Sequence, residues 1–311
     1  MKIYHNIEDF VPVNNAIVTI GTFDGVHLGH QAIFKKMIED ARAVNGETVV
    51  ITFYPHPRLV LQIDSSSLKF ISTQKRKIER LEAIGIDNLI IIEFTKSFSR
   101  TSSETFIKKF IVEPIKPYKL VVGYDHHFGK NRIGDYKLLY DLGQLFHFKV
   151  ERIAAQDVEN IAISSTKIRK ALELGNVSKA NRLLGYNYAI CGKVVRGNQI
   201  GRTIGFPTAN IETPNQYKLI TAGGVYACQV DYQGKLYDGM GNIGYRPTVS
   251  DSELTIEVHI FDFDKEIYDE EITISFIDRI RDEHKYDSLE ALRQQLEKDR
   301  IAAKACLAEF K

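Results

Sequence analysis

The sequence has no tryptophan and only three cysteines in 311 residues: Cys191, Cys228 and Cys306. They are far apart, odd in number and without a CxxC pair. That argues against a zinc knuckle or a disulfide framework and implies reduced thiols in a cytoplasmic chain. An excess of one charge is also missing: the net charge is +1 at pH 7. Nothing in it draws the chain toward nucleic acid or an anionic membrane. No apolar run approaches the roughly 18 residues that a membrane span needs. The N-terminal MKIYHNIEDF lacks the apolar core of a signal peptide. The expected partners are therefore small molecules, with no nucleic acid and no membrane. The apolar and charged fractions, 44% and 26%, are those of an ordinary globular chain. The length suggests about two domains, each large enough to bury a core.

The most informative stretch is GTFDGVHLGH, Gly21 to His30, between a strand-like run (Ala16 to Ile20) and a helix-like run (Gln31 to Val44). Glycines let backbone N–H groups approach a ligand closely. A helix that starts here aims its free N–H groups and positive dipole end at the same spot, which suits phosphate. His27 and His30 each add a hydrogen-bond donor. The HxGH stretch, His27 to His30, resembles the signature of the nucleotidyltransferase superfamily. The longer GTFDGVHLGH is similar to its flavin-nucleotide-forming branch.

The first half alternates strands and helices. Strands are expected over Thr48–Tyr54, Asn88–Phe94, Lys119–Tyr124 and His147–Ile153. Helices are expected over Thr73–Gly85, after a capping box at Thr101 and Glu104, and over Asp135–Phe146. The strands are apolar on both faces, which predicts a parallel sheet covered by helices on both sides. Ligands bind such sheets at the carboxyl ends of the strands, where the strand order reverses.

Two further segments carry the resemblance. GYDHHFGKNRIGD, from Gly123, is similar to the family's VGxDFxFG stretch and departs at His126, where phenylalanine is usual. His126 and His127 lack a carboxylate or cysteine at metal-site spacing, so they are not read as a metal pair. ISSTKIR, Ile163 to Arg169, places Ser164, Ser165 and Thr166 where a helix begins, followed by the charge of Arg169. The resemblance implies that this segment holds the β- and γ-phosphates of ATP. It also implies an ATP site lined by Gly21, Phe23, Asp24 and Gly29, with Asp125 and Phe128 beside the flavin.

After a short helix and joint at Asn176–Tyr188 the pattern changes. Close-set β-branched runs with turn signals predict a small antiparallel barrel. A terminal amphipathic helix is expected from Ser288 to about Glu309, with Leu289, Leu292, Leu296 and Ile301 inward. Gly192, Gly197, Gly201 and Gly205 suggest a flexible loop around phosphates. No Gly-Lys is followed by Ser or Thr, so this is not a Walker A motif. GFPTAN, Gly205 to Asn210, is very similar to the PTAN motif of riboflavin kinases. Thr208 and Asn210 face one way in an extended segment, and their oxygens suit Mg²⁺. The kinase resemblance continues through GNIGYRPT, then TIEVHIFDFDKEIYDEEI, then RIRDEHKYDSLEAL, and departs at Asp269, where glycine is usual. It implies that Glu257 is the general base and that Arg281 lies on the flavin side.

The chain is thus similar to the bacterial bifunctional riboflavin kinase/FAD synthetases. The resemblance implies residues 1–184 as a Rossmann-like α/β FMN adenylyltransferase (nucleotidyltransferase) domain. It implies residues 185–311 as a β-barrel riboflavin kinase domain with a terminal helix. It further implies Mg²⁺, ATP as co-substrate, and riboflavin, FMN and FAD as substrates and products. Two alternatives stay open on the residues: adenylylation of another phosphomonoester, such as a pantetheine phosphate, and an ATP- or flavin-sensing binding protein.

Overall fold

The computed structural model describes residues 1–62, 68–124, 127–130, 133–155, 157–158, 161–197, 199–247 and 252–310. The chain forms two compact units, Met1–Ser165 and Thr166–Lys311. The division falls inside the ISSTKIR segment.

The first unit runs β1 (Lys2–Tyr4), β2 (Ile17–Ile20), α1 (Leu28–Ala43), β3 (Thr48–Tyr54), α2 (Pro57–Val60), α3 (Gln74–Ile84) and β4 (Asn88–Glu93). It continues with α4 (Ser103–Ile107), a π-turn over Lys108–Val112, α5 (Glu113–Ile115), β5 (Lys119–Gly123), α6 (Tyr136–Phe146) and β6 (Lys149–Ile153). A ribbon of two short strands, β7 (Asp157–Val158) and β8 (Ile161–Ala162), follows. The first six strands form one sheet, ordered β1-β4-β3-β2-β5-β6, with every pairing parallel. Alternation along the strands fills two cores. Val18, Ile20, Val49 and Ile51 pack with Phe106, Ile111 and Leu139 on one face. Ile17 and Val50 pack with Phe34, Met37 and Leu81 on the other.

The sequence predicted five strands; β1 is the sixth. Its three residues lie on the sheet edge with Ile3 exposed, so no apolar run announces it. Two helix starts also differ from expectation. α1 begins at Leu28, because the His27 side chain caps it by accepting the His30 N–H. α4 is capped by Ser102, whose hydroxyl accepts from Thr105 N, and not by the Thr101–Glu104 box.

The strand order reverses between β2 and β5. These strands share only two register pairs, Ile17↔Lys119 and Val18↔Leu120. Beyond them Thr19 Oγ1 donates to the Val121 carbonyl at 2.7 Å. A side chain thus satisfies a carbonyl that the ladder leaves. The strands part toward their carboxyl ends, and the GTFDGVHLGH loop leaves from one lip of the opening.

The second unit contains α7 (Ser165–Glu173), α8 (Val177–Leu184), β9 (Ala189–Val195), α9 (Ile200–Thr203), β10 (Ala209–Glu212), β11 (Gly224–Tyr232), β12 (Lys235–Pro247), β13 (Ser252–Ile260), β14 (Glu271–Arg281) and α10 (Leu289–Phe310). Six strands close an antiparallel barrel in the order β10-β13-β12-β11-β14-β9. α7 is tied to it through the Leu172 carbonyl, which accepts from Ala222 N at 3.1 Å and Thr221 Oγ1 at 2.8 Å. From α8, Asn181 Nδ2 donates to the Phe276 carbonyl at 2.8 Å.

α10 packs through Leu296, Ala303 and Leu307 against Phe206, Met240, Phe261 and Ile277. Its orientation corrects the sequence expectation, since Leu289 and Ile301 are 56% and 67% exposed. At the centre of the buried stripe stands a charge. Asp299, 1% exposed, receives Arg281 Nε at 2.9 Å, Arg281 Nη2 at 2.7 Å and Gln295 Nε2 at 2.8 Å. A hydrophobicity pattern cannot place a face centred on a carboxylate. Replacing Asp299 with Ala should destabilise the barrel unit by about 3 kcal/mol, because it strands a partly buried guanidinium. Urea unfolding followed by far-UV circular dichroism would measure this, and a change below about 1 kcal/mol would refute a fastening role for the pair.

Candidate active sites

In the first unit, β2 delivers the chain into a loop that its own residues would not adopt unaided. Phe23, Gly25 and Val26 have φ of 48°, 82° and 41°. For a β-branched residue such as Val26 that conformation is strained. The surroundings hold it. The Asp24 carboxylate, 5% exposed, accepts from the backbone N–H of Ile71 at 3.2 Å and of Ser72 at 3.1 Å. Ser72 Oγ accepts from Gly25 N at 3.0 Å, and Gln31 Nε2 donates to the Val26 carbonyl at 2.8 Å. Phe23 turns its ring into the core against Phe34 and edge-on to His30. A Cβ on Gly21 would come within 2.8 Å of that ring, so glycine is needed beneath it.

The two histidines stack, with ring centroids 3.6 Å apart and planes 16° from parallel. Gly29 leaves room for this, since a Cβ there would sit 3.2 Å from His27 Nδ1. His27 Nδ1 accepts the His30 N–H at 3.3 Å. The proton of the His27 ring is therefore on Nε2. His30 Nδ1 is buried with no hydrogen-bond partner among the described residues. Burial first, then the charges of His27 and Lys77, holds the His30 pKa well below its ordinary value. Burial thus keeps the His30 ring neutral, so the stack does not hold two competing cations.

The sequence reading missed Lys77. It is 5% exposed on α3, and Nζ is 3.5 Å from the hydroxyl of buried Thr52. Burial depresses its pKa to about 8, against the opposing pull of Asp24. It is one of four basic residues in TQKRKIER, Lys75, Arg76, Lys77 and Arg80. The available signal was its spacing, four and seven residues before Leu81 and Ile84 on the apolar stripe.

Ser165 Oγ donates to the Asp24 carbonyl at 3.1 Å, which joins the ISSTKIR segment to the loop. Ser164 precedes it; Thr166 and Arg169 follow on α7, in the second unit. Asp125 and His126 lie outside the described residues. Phe128 is buried in the core near Phe106 and bridges Gly134 through backbone hydrogen bonds.

In the barrel, β10 and β13 pair with Asn210 opposite Glu257 and Ala209 opposite Val258. Ile256, Val258 and Ile260 are buried; Thr255, Glu257 and His259 form the other face of β13, half-exposed. Thr208 Oγ1 donates to Glu257 Oε2 at 3.2 Å. The structure thus brings Thr208, Asn210 and Glu257 together, as the motifs predict. Gly197 allows this, because a Cβ there would lie 2.3 Å from Asn210 Nδ2. Gly201 lies in α9, where a Cβ would meet the Phe206 carbonyl at 2.2 Å, and Gly205 has φ of 84°. Gly192 is not in the flexible loop that the sequence suggested. It is a strand residue of β9 opposite Ile272, and a Cβ there would meet the Glu212 carbonyl at 2.4 Å. Asp269 has φ of 67°, which accounts for the usual glycine at that turn, and pairs with Lys193 at 2.7 Å. Arg281 is engaged by Asp299 and stands over the Tyr286 ring.

Among the described residues no group of three His, Cys, Asp or Glu side chains could hold a metal by itself. Thr208, Asn210 and Glu257 offer hard oxygens with a single carboxylate. That donor set fits Mg²⁺, which is held by one or two protein oxygens together with substrate phosphates and water.

A parallel sheet with paired histidines at its switch point, and a closed barrel carrying a carboxylate beside Thr and Asn oxygens, define a two-domain enzyme class that handles phosphates. Residues 12–167 match the family model described as FAD synthetase, and residues 184–307 match that of riboflavin kinase. The bifunctional riboflavin kinase/FMN adenylyltransferase of Listeria monocytogenes is 39% identical, over 95% of this chain and 94% of its own. That of Bacillus subtilis is 38% identical, over 93% and 91%. A crystal structure from Streptococcus pneumoniae, described as a macrolide-efflux protein, superposes with a TM-score of 0.87 at 32% identity. It covers 97% of this chain and 98% of its own. Among the described residues no helix is long and apolar enough to cross a membrane. The chain belongs to the bifunctional riboflavin kinase/FMN adenylyltransferase family.

Lys77 gives this site a pH signature. Its folded-state pKa, about 8, lies below the ordinary 10.5. Between those values the unfolded chain binds the extra proton, so the Lys77 contribution to stability rises with pH across that window. Relative to Lys77→Met, the wild-type chain should gain on the order of 3 kcal/mol between pH 8 and pH 10.5. Urea unfolding of both proteins at the two pH values checks this; parallel behaviour would mean the ammonium is not held away from water.

Proposed function

We propose that this chain makes FAD from riboflavin in two ATP-dependent steps, phosphorylation at the barrel and adenylylation at the GTFDGVHLGH loop. The observation that carries the reading is the Glu257 carboxylate, 3.2 Å from the Thr208 hydroxyl and in register with Asn210. That arrangement gives a proton acceptor beside a metal-binding pair. In the kinase step Glu257 takes the proton of the riboflavin 5′-hydroxyl. The hydroxyl oxygen bonds to the γ-phosphorus of ATP, the bond to ADP breaks, and FMN forms. Thr208 and Asn210 would hold Mg²⁺, which would supply charge neutralisation to the phosphates.

In the adenylyl step an oxygen of the FMN phosphate bonds to the α-phosphorus of a second ATP. The bond to the β-phosphate bridging oxygen breaks, giving FAD and pyrophosphate. The nucleophile is already an anion at pH 7, so no base is required. His27 and His30 stabilise charge on the α-phosphate by hydrogen bonding; on the motif, Ser164, Ser165 and Arg169 are assigned to the leaving pyrophosphate and Thr166 to the ATP phosphates. Gly21, Phe23, Asp24 and Gly29 shape the loop that presents the histidines. Asp125 and Phe128 are assigned to the flavin side of the adenylyl site, and Arg281 to that of the kinase site, on the motifs. The substrates are small molecules of the cytoplasm, where we place the chain.

The test is a time course with riboflavin, ATP and Mg²⁺, with flavins separated by chromatography. FMN should appear first and FAD after it; neither product would refute the reading. Glu257→Gln should lower FMN formation by about 10²- to 10⁴-fold, and an unchanged kinase rate would remove Glu257 as the base. His30→Ala should abolish FAD formation from supplied FMN and spare FMN formation. Equal loss of both would argue against separate sites.

A further inference from the structure

The motif EVH places a second functional group on the strand of the proposed base. His259 follows Glu257 by two residues, so both side chains leave the same face of β13. The β10–β13 ladder ends at the pair Ala209↔Val258. The segment 205–208 lies beyond it, and Pro207 has no N–H to extend the pairing. His259 Nδ1 lies 2.8 Å from the Pro207 carbonyl oxygen. A carbonyl only accepts, so Nδ1 carries the proton and donates it. The ring is also fixed from the sides, edge-on to Phe206 at 5.3 Å and to Phe261 at 5.7 Å. Arg300 stands over the Phe206 ring.

Resting on the kinase reading above, we propose that His259 is a positioning residue for phosphoryl transfer. Its Nδ1–H holds the Pro207 carbonyl where the strand ladder gives out, and so sets Thr208 and Asn210 against Glu257. Thr208 is the residue next to Pro207, and its hydroxyl reaches Glu257 at 3.2 Å. Without the His259 bond, the peptide carrying Thr208 has no tie to β13 from the Pro207 carbonyl. A shift of about 1 Å in the group that positions Mg²⁺ and phosphate is enough to cost a catalytic site up to 10²-fold in rate. His259 itself touches no reacting atom in this account. The burial that lowers its pKa keeps the ring neutral, and the Nδ1–H donor is present in either protonation state.

Two variants of similar size separate the hydrogen bond from mere packing: His259→Asn and His259→Leu. The asparagine side chain keeps an N–H near the place of Nδ1, whereas leucine has no donor. Each full-length protein is assayed for riboflavin phosphorylation over a Mg²⁺ series and, separately, for FAD formation from supplied FMN. His259→Leu should lose about 10- to 100-fold in kinase kcat and need more Mg²⁺ for half-maximal rate. His259→Asn should recover to within about threefold of wild type, in line with one neutral hydrogen bond kept. Both should form FAD from supplied FMN at the wild-type rate, and an unchanged far-UV circular dichroism spectrum and urea unfolding midpoint would show that the barrel is folded. Leucine and asparagine variants with equal kinase rates, whether both high or both low, would overturn the proposal. So would a loss in kcat with the Mg²⁺ dependence unchanged. A wild-type chain that forms no FMN would instead overturn the kinase reading on which the proposal rests.

Discussion

The Asp24 carboxylate sits where water barely reaches it, and the geometry of the adenylyl site follows from how that charge is satisfied. A buried charge is tolerated only when it is hydrogen-bonded or paired. Here two consecutive backbone N–H groups, of Ile71 and Ser72, point at it. The Lys77 ammonium lies close enough to feel its charge. These bonds come from a segment nearly fifty residues downstream, so they pin the loop from outside. The loop needs this, because three of its residues hold left-handed backbone angles at a cost of about 1–3 kcal/mol for each non-glycine. Once it is pinned, His27 stands at the helix N-cap, its Nδ1 is consumed by the His30 N–H, and the two rings stack. Donor orientation at the phosphate site is thus settled before any ligand arrives, which is the condition for electrostatic preorganisation.

The barrel solves the same problem with a ladder in place of a buried charge. Antiparallel pairing fixes which residues stand opposite one another, and here it sets Asn210 against Glu257. The alternation of β13 then keeps Ile256, Val258 and Ile260 in the core while Glu257 and His259 lie half-exposed on the other face. The glycines of the 192–205 stretch do different jobs within this frame. Gly192 and Gly197 provide close approach to the Glu212 carbonyl and the Asn210 amide, whereas Gly205 provides a positive φ. Treating them as one flexible loop joins what the structure separates.

The elements that the sequence disclosed are those whose apolar pattern and caps agree. Thr48–Tyr54 is a strand over the expected residues, and α3 lies between the Thr73 cap and Gly85 in the left-handed conformation. The paired histidines, and Thr208 with Asn210, were legible because a short motif keeps each pair together; Glu257, on another strand, came from the resemblance to riboflavin kinases alone. What escaped were features that need a third dimension. Strand β10 is four residues long and half polar, so nothing but its partners makes it a strand. The face of α10 was misjudged because Asp299, at its centre, is buried only by virtue of Arg281. Lys77 looked like one more solvated cation until the fold closed over it.

The two sites differ in the way their nucleophiles require. An alcohol holds its proton far above neutral pH and needs a base in contact; a phosphate monoester is already ionised and does not. The barrel site accordingly has a half-exposed carboxylate, Glu257, in the role proposed for the base. In the adenylyl loop the only carboxylate, that of Asp24, is turned inward and committed to backbone N–H groups. A solvent-facing carboxylate there would repel both the FMN phosphate and ATP, two anions that have to meet. The loop carries imidazole rings instead, and burial keeps that of His30 from charging. Strong cations at that point would bind ground-state phosphates tightly and spend binding energy before the transition state, where it does not raise the rate. On the proposed roles, one sequestered carboxylate and one half-exposed carboxylate let a single chain activate an alcohol in one fold and join two anions in the other.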